Sequence, residues 1–281
     1  KSKYCLALNS GTSAIHLALK VIGVAKNDEI IVPSITFVAT VNPILYLKAA
    51  PIIMGVDKNH NINIEDIKKF IETRTYFKNN NLYNKKNNKI IKAIVIVHMW
   101  GRACNFSELI KICKKRNIKI IEDAAEALGS YIKINKKLIH CGTLGDIGCL
   151  SFNANKIITT GSGGAIITNN KKYYNDALYL ANQAKDDSFA YIHNRCGFNY
   201  KMNGISAALG LSQLRKIKEK INKKKIIYKN YSSILKNHKY FELNSNKKFE
   251  NINYWMNILY IKDFNHRLIQ KLSLFLKKNK I

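Results

Sequence analysis

Ile90-Ile91-Lys92-Ala93-Ile94-Val95-Ile96-Val97-His98 and Ile118-Lys119-Ile120-Ile121-Glu122-Asp123-Ala124-Ala125-Glu126 are the two stretches that decide the fold. The first is almost entirely apolar, with no polar alternation, so it reads as a strand buried on both faces. The second is a buried strand, Ile118–Glu122, that ends in carboxylates. The residues between them, Phe106–Arg116, carry helical spacing. A strand, a helix and a second buried strand imply a parallel pair with a crossover helix. Working outward, Tyr4–Leu8, Glu29–Val32, Pro51–Val56, Asp146–Phe152 and Gly164–Thr168 read as further strands. Ala14–Ile22, Phe37–Leu47 and Ile64–Thr73 read as helices. The expected class is α/β, a mostly parallel central sheet with helices on both faces.

From Ile205 the chain changes character. A long helix is expected to about Leu235, then a strand over Tyr254–Ile261 and a helix over His266–Lys278. This divides the chain into a large domain, 1–204, and a connecting helix with a smaller α/β lobe, 205–281. The polar run Lys78–Lys89 reads as a surface loop.

The chain has 281 residues, 47% of them hydrophobic, enough for a large core and too many for a disordered protein. Lys and Arg number 47 against 18 Asp and Glu, a net charge of +29. Such a charge first suggests a polyanionic partner. Against that, only six of the basic residues are Arg, and no helix-turn-helix, zinc-finger or RNA-binding aromatic motif is present. Residues 201–281 hold 19 basic and 4 acidic residues, net +15, so charge is densest where motifs are scarcest. The expectation is therefore no nucleic-acid partner. The six cysteines lack a CxxC spacing and read as reduced thiols of a cytoplasmic protein. No apolar run reaches membrane-spanning length and no signal peptide opens the chain. His98, His140 and His193 have no zinc-ligand spacing with the cysteines, so no metal is expected.

Three segments carry chemistry. Asn9-Ser10-Gly11-Thr12-Ser13-Ala14 joins a strand to a helix. Gly11 permits a tight turn, and Thr12 and Ser13 place hydroxyls beside helix N-terminal N–H groups, which suits a phosphate. Alone, the same residues also serve as an ordinary N-cap. They form neither a P-loop nor a GxGxxG turn. Asp123 stands at a strand's carboxyl end, where ligand crevices of open α/β sheets lie. A carboxylate there can bind metal, act as a base, pair with a protonated ring nitrogen or cap a helix. Lys156 follows Ser151-Phe152-Asn153-Ala154-Asn155, between two apolar strands and just before a Gly-rich turn at 161–164. A lysine so placed can be a Schiff-base nucleophile, while a surface loop lysine is the plainer reading among 41. Together the three supply what pyridoxal 5'-phosphate needs: a phosphate turn with Ser151, Asp123 for the pyridine nitrogen, and Lys156 for the covalent link.

The chain resembles the DegT/DnrJ/StrS sugar-nucleotide aminotransferases, which have the fold-type-I pyridoxal-phosphate architecture. The matching segments are Asn9–Leu17, Val32–Thr40, Ile121–Gly129, Gly145–Phe152, Lys156–Thr168 and Gly197–Leu214, in family order. The resemblance implies that Gly11, Thr12, Ser13 and Ser151 bind the cofactor phosphate. It implies that Phe37 stacks on the ring, Asp123 pairs with its nitrogen, and Glu126 lies beside it. Lys156 would hold the cofactor and shuttle the proton. Asn199 would reach the phosphate in the neighbouring subunit, making the active unit a homodimer. His193 is a candidate substrate contact.

Sugar 3-dehydratases of the same fold carry His at the lysine position, so Lys156 favours amino transfer. Residues 182–194 look most like members serving bacillosamine and legionaminic acid synthesis. This implies transfer from glutamate to C4 of a UDP-linked 4-keto-6-deoxy-N-acetylhexosamine, with a GDP-perosamine-type acceptor as the alternative. From other classes, an inactive fragment or a basic nucleic-acid-binding protein competes. Asn105 departs from a frequent Asp. The chain is expected to lack the family's N-terminal arm and the rest of its small domain.

Overall fold

Alternate residues of single strands divide between two cores. Ile30 and Val32 belong to one buried cluster with Val95, Val97, Ile121 and Cys149, while Ile31 belongs to a second with Ile94, Ile96 and Ile120. This period of two, apolar on both faces, makes a sheet sandwiched between helices. The computed structural model describes residues 2–187, 189–244, 251–262 and 265–280. In chain order the elements are β1 (Tyr4–Leu8), α1 (Gly11–Val21), β2 (Glu29–Pro33), α2 (Asn42–Tyr46), β3 (Ala50–Met54), α3 (Ile64–Arg74), β4 (Thr75–Lys78), β5 (Asn81–Asn84), β6 (Ile91–Val97), α4 (Ser107–Lys115), β7 (Lys119–Asp123), β8 (Tyr131–Ile134), β9 (Lys137–His140), β10 (Ile147–Ser151), β11 (Gly164–Thr168), α5 (Lys171–Ala181), α6 (Gly204–Arg215), α7 (Ile217–Ile234), β12 (Phe241–Leu243), β13 (Leu259–Ile261) and α8 (His266–Lys278).

The central sheet has seven strands in the order β1-β11-β10-β7-β6-β2-β3. Strands β3, β2, β6, β7 and β10 run parallel, and β11 is antiparallel to both its neighbours. The α/β class is therefore as expected. Helices α1 and α5 cover the first core, and α3 and α4 cover the second. The carboxyl ends of the parallel strands lie along one edge, which brings Asp123 and Ser151 close together.

Several local expectations are corrected. Residues 78–89 are not a plain loop, because β4 and β5 pair as a hairpin. Its turn is Asn79-Asn80, both with positive φ (47° and 58°), which asparagine tolerates best after glycine. Phe37–Leu47 is not one helix: a 3-10 turn over Val38–Thr40 is followed by the short α2 with Pro43 in its first turn. The long helix from Ile205 breaks at Lys216 into α6 and α7. Of Tyr254–Ile261 only Leu259–Ile261 is strand, paired with β12. Tyr254 has a φ of 53°, and Asn253 hydrogen-bonds to the large unit instead of a strand partner. Helix α5 and the hairpin β8–β9 had no counterpart in the sequence reading.

Residues 251–255 strap the later part of the chain to the earlier part. The Tyr131 N–H donates to the Asn251 carbonyl (2.8 Å), and the Asn253 side-chain amide donates to the carbonyls of Glu126 (2.7 Å) and Leu128 (3.0 Å). Trp255 packs with Ile157, Ile158, Ile217 and Ile221.

Candidate active site

Helix α1 begins against the end of β10. Ser10 is its N-cap and accepts from the Ser13 N–H (3.0 Å). A Cβ on Gly11 would meet the Ser151 Cβ at 2.9 Å, so only glycine lets the helix come this close to the strand. The N–H groups of Gly11 and Thr12 have no carbonyl four residues back within the helix, so they remain available to an anion. Ser10, Gly11, Thr12 and Ser151 line a cleft of about 280 Å³, together with Asp123, Glu126, Lys156 and Phe37.

Asp123 ends β7 and is buried. Its Oδ2 accepts from the Thr40 hydroxyl (2.7 Å) and its Oδ1 from the Ala125 N–H (3.1 Å). Burial pushes this carboxyl up from its ordinary range, and Thr40, Ala125 and the charge of Lys156 pull it only partway back. Among the described residues, no cation forms an ion pair with it. A protonated ring nitrogen would supply that missing charge.

Lys156 enters on the turn after β10. Its Nζ lies 3.6 Å from Glu126 Oε1 and 4.0 Å from the centre of the Trp255 ring. Trp255 is held in place by its indole N–H, which donates to the Asn155 carbonyl (2.8 Å). Burial also pushes Glu126 up, offset in part by Lys156 and by the Trp100 N–H. That N–H donates to Glu126 Oε2 (2.6 Å) from a turn in which Trp100 has a φ of 56°. Glu126 thus secures a left-handed backbone turn as well as facing the lysine.

Behind the cleft, Glu122 is fully buried. It accepts from His98 Nε2 (2.8 Å) and from the N–H groups of Gly142 (2.7 Å), Leu144 (2.7 Å) and Gly145 (2.6 Å). The Cys104 N–H donates to His98 Nδ1 (3.0 Å), so the ring proton sits on Nε2. Burial opposes the Glu122 charge, but these donors outweigh it and hold the carboxyl below the ordinary range.

Seven of the expected residues therefore meet in one cleft: Gly11, Thr12, Phe37, Asp123, Glu126, Ser151 and Lys156. Phe37 sits on the rim, 69% exposed. Three do not line it. The Ser13 hydroxyl donates instead to Asn9 Oδ1 (2.7 Å). Asn199 is exposed and is joined through its carbonyl to the Asn9 side chain (3.1 Å). His193 is exposed, with Nδ1 2.9 Å from the Gln183 carbonyl. Sequence reasoning missed Ser10, Thr40 and Trp255. Ser10 and Thr40 lie inside segments already singled out. Trp255 lies 99 positions after Lys156, and no local signal connects the two.

A parallel sheet with a helix-start turn, a buried acid and a lysine at its carboxyl edge is an arrangement shared by many cofactor-dependent α/β enzymes. The DegT/DnrJ/EryC1/StrS aminotransferase family model matches residues 1–281, and the chain belongs to that family. It is 37% identical over 242 residues to GDP-perosamine synthase of Escherichia coli O157:H7, covering 84% of this chain and 61% of that protein. It is 32% identical over 241 residues to UDP-4-amino-4,6-dideoxy-N-acetyl-beta-L-altrosamine transaminase of Campylobacter jejuni, covering 85% of this chain and 59% of that protein. Among solved structures it superposes on Helicobacter pylori PseC, an aminotransferase involved in pseudaminic acid biosynthesis, with a TM-score of 0.80 and 28% identity over 99% of this chain and 70% of that one. The chain spans about three fifths of the length of the curated relatives it matches.

Proposed function

We propose that this chain is the cofactor-binding part of a pyridoxal-phosphate-dependent aminotransferase acting on nucleotide-linked keto sugars. One observation carries the reading: Lys156, Asp123 and the Ser10–Thr12 turn with Ser151 all open on the same cleft. Bound there, pyridoxal phosphate supplies an electron sink and a carrier for the amino group. The chain's residues divide the remaining work. Ser10, Gly11, Thr12 and Ser151 would hold the phosphate. Asp123 would keep the pyridine nitrogen protonated, and Phe37 on the rim would pack against the ring. Lys156 would hold the cofactor covalently, and its amine is the group that would carry a proton to and from the reacting carbon. Glu126 and Trp255 hold its Nζ in the cleft. Glutamate is the amino donor, and the acceptor is a 4-keto-6-deoxyhexose linked to a nucleoside diphosphate.

Two acceptors fit. Segment 182–194 supports a UDP-linked N-acetylhexosamine, as in bacillosamine and legionaminic acid synthesis. The higher identity to a GDP-perosamine synthase supports a GDP-linked sugar. The active unit we propose is a homodimer. Asn199 and His193, which lie outside their own cleft, would serve the partner's site.

The test is the visible absorption band of lysine-bound cofactor, with amino transfer from glutamate to UDP- and GDP-linked 4-keto-6-deoxy sugars. Lys156→Ala is expected to lose the band and at least about a thousandfold of turnover. Retention of both overturns the assignment, and the preferred nucleotide selects between the acceptors.

A further inference from the structure

The 36–40 turn reaches Asp123 at the cleft. Thr40 is completely buried, and its hydroxyl donates to Asp123 Oδ2 (2.7 Å). Thr36, half-buried on the cleft wall, has its hydroxyl 2.6 Å from that of Thr40. The direction of this chain follows from the carboxylate. An ionised carboxylate only accepts, so the single Thr40 proton must point at Asp123. Thr40 then has only lone pairs to offer Thr36, and Thr36 donates. The polarity Thr36 to Thr40 to Asp123 is thus set, and each bond strengthens the next. The turn is short and well held: the Thr40 N–H donates to the Phe37 carbonyl (3.0 Å), and a β-branched side chain has few rotamers. The same five residues carry Phe37 on the rim.

We propose that Thr40, oriented by Thr36, is the positioning residue that keeps Asp123 ionised and aimed at the cofactor's ring nitrogen. The proposal rests on the pyridoxal-phosphate reading above. Its physical basis is that a fully buried carboxylate is driven toward its neutral form, and a hydrogen bond to the charged form opposes that. A neutral Asp123 would leave the ring nitrogen without its counter-charge. The other titratable groups facing Asp123 are Lys156 and Glu126 in the cleft and His98 and Cys149 on the adjoining strands. Substituting Thr40 leaves all four in place.

The experiment measures pyridoxal-phosphate affinity and the pH midpoint of the visible band in wild type, Thr40→Val, Thr40→Ser, Asp123→Asn and the Thr40→Val/Asp123→Asn pair. Thr40→Val keeps the shape and removes the donor. Its affinity should fall about 10-fold to 100-fold, as for a lost hydrogen bond to a charged group. The pH midpoint should move upward, because a ring less firmly protonated holds the linked nitrogen's proton more tightly. Thr40→Ser should restore both to near wild type. Thr40→Val should add nothing once Asp123 is Asn, which a merely structural role would not produce. If Thr40→Val does not fold, Thr36→Val on the cleft wall should show the same shifts to a smaller degree. Wild-type affinity and midpoint in whichever of these folds, or an equal loss in the Asp123→Asn background, overturns the proposal. Failure of wild type to form the band at all overturns the cofactor reading instead.

Discussion

Glu122 shows how one residue can hold a site it does not touch. Its two oxygens receive four N–H donors, from His98 and from the 142–145 turn, and its carboxyl is held below the ordinary range. Because the folded value is depressed, its contribution is complete above the ordinary glutamate value of 4.5 and is lost as pH falls through the folded value. Glu122→Gln turns an amide N–H₂ toward at least one N–H donor and should cost about 3 kcal/mol or more at neutral pH. Denaturant unfolding as a function of pH checks this. The difference between wild type and Glu122→Gln should shrink steadily below pH 4.5, and a pH-independent difference would refute it. Asp123, one position on, has the opposite balance. With two donors and no ion-pair partner among the described residues, its carboxyl is raised rather than lowered.

At the scale of elements, the β4–β5 hairpin shows turn chemistry hidden by composition. Residues 78–89 look like low-complexity filler rich in Lys and Asn. Yet Asn79 and Asn80 supply the two left-handed residues of a tight hairpin, and Tyr76 stacks on Tyr83 across it (5.2 Å). Asn80→Val should lower stability by about 1–2 kcal/mol, while Asn80→Gly should leave it unchanged or higher. The midpoint of urea unfolding reads this, and a valine variant matching wild type would refute the turn assignment. Helix assignments failed for a related reason. The apolar spacing of 37–47 is helical, but Thr40 must reach Asp123 and Pro43 restarts the chain, so the segment splits into a 3-10 turn and α2.

At the scale of the molecule, α6 has no buried residue, although Ile205, Leu209, Leu211 and Leu214 are apolar. Ile205 is 87% exposed and Leu211 62%. Apolar side chains exposed along one helix are the kind of surface a protein partner covers. With Asn199 and His193 outside their own cleft, this supports the proposed homodimer. Leu211→Glu should convert the dimer to a monomer in sedimentation velocity and weaken cofactor binding. A monomeric wild type that binds cofactor fully would refute that arrangement. Little of the net charge of +29 lies in the cleft's lining, where Lys156 is the one basic side chain among the described residues.

The sequence by itself determined the sheet and the chemical inventory. Buried strands need continuous apolar runs, and 90–98 and 118–122 have them. A helix that starts tight against a strand end needs a small residue there, and Gly11 is there. Those are local requirements, satisfied within a few residues, so they leave a local signature. What only the tertiary structure decided was which groups meet. Trp255 reaches Lys156 because the 251–255 strap bonds to the carbonyls of Glu126 and Leu128. Thr40 reaches Asp123 across 83 positions. Ser13 turns away from the cleft because Asn9 accepts its hydroxyl. The first two follow from the three-dimensional closure of the sheet's carboxyl edge, where segments distant in sequence lie side by side; the third spans only four positions but depends on a side-chain choice the sequence does not reveal.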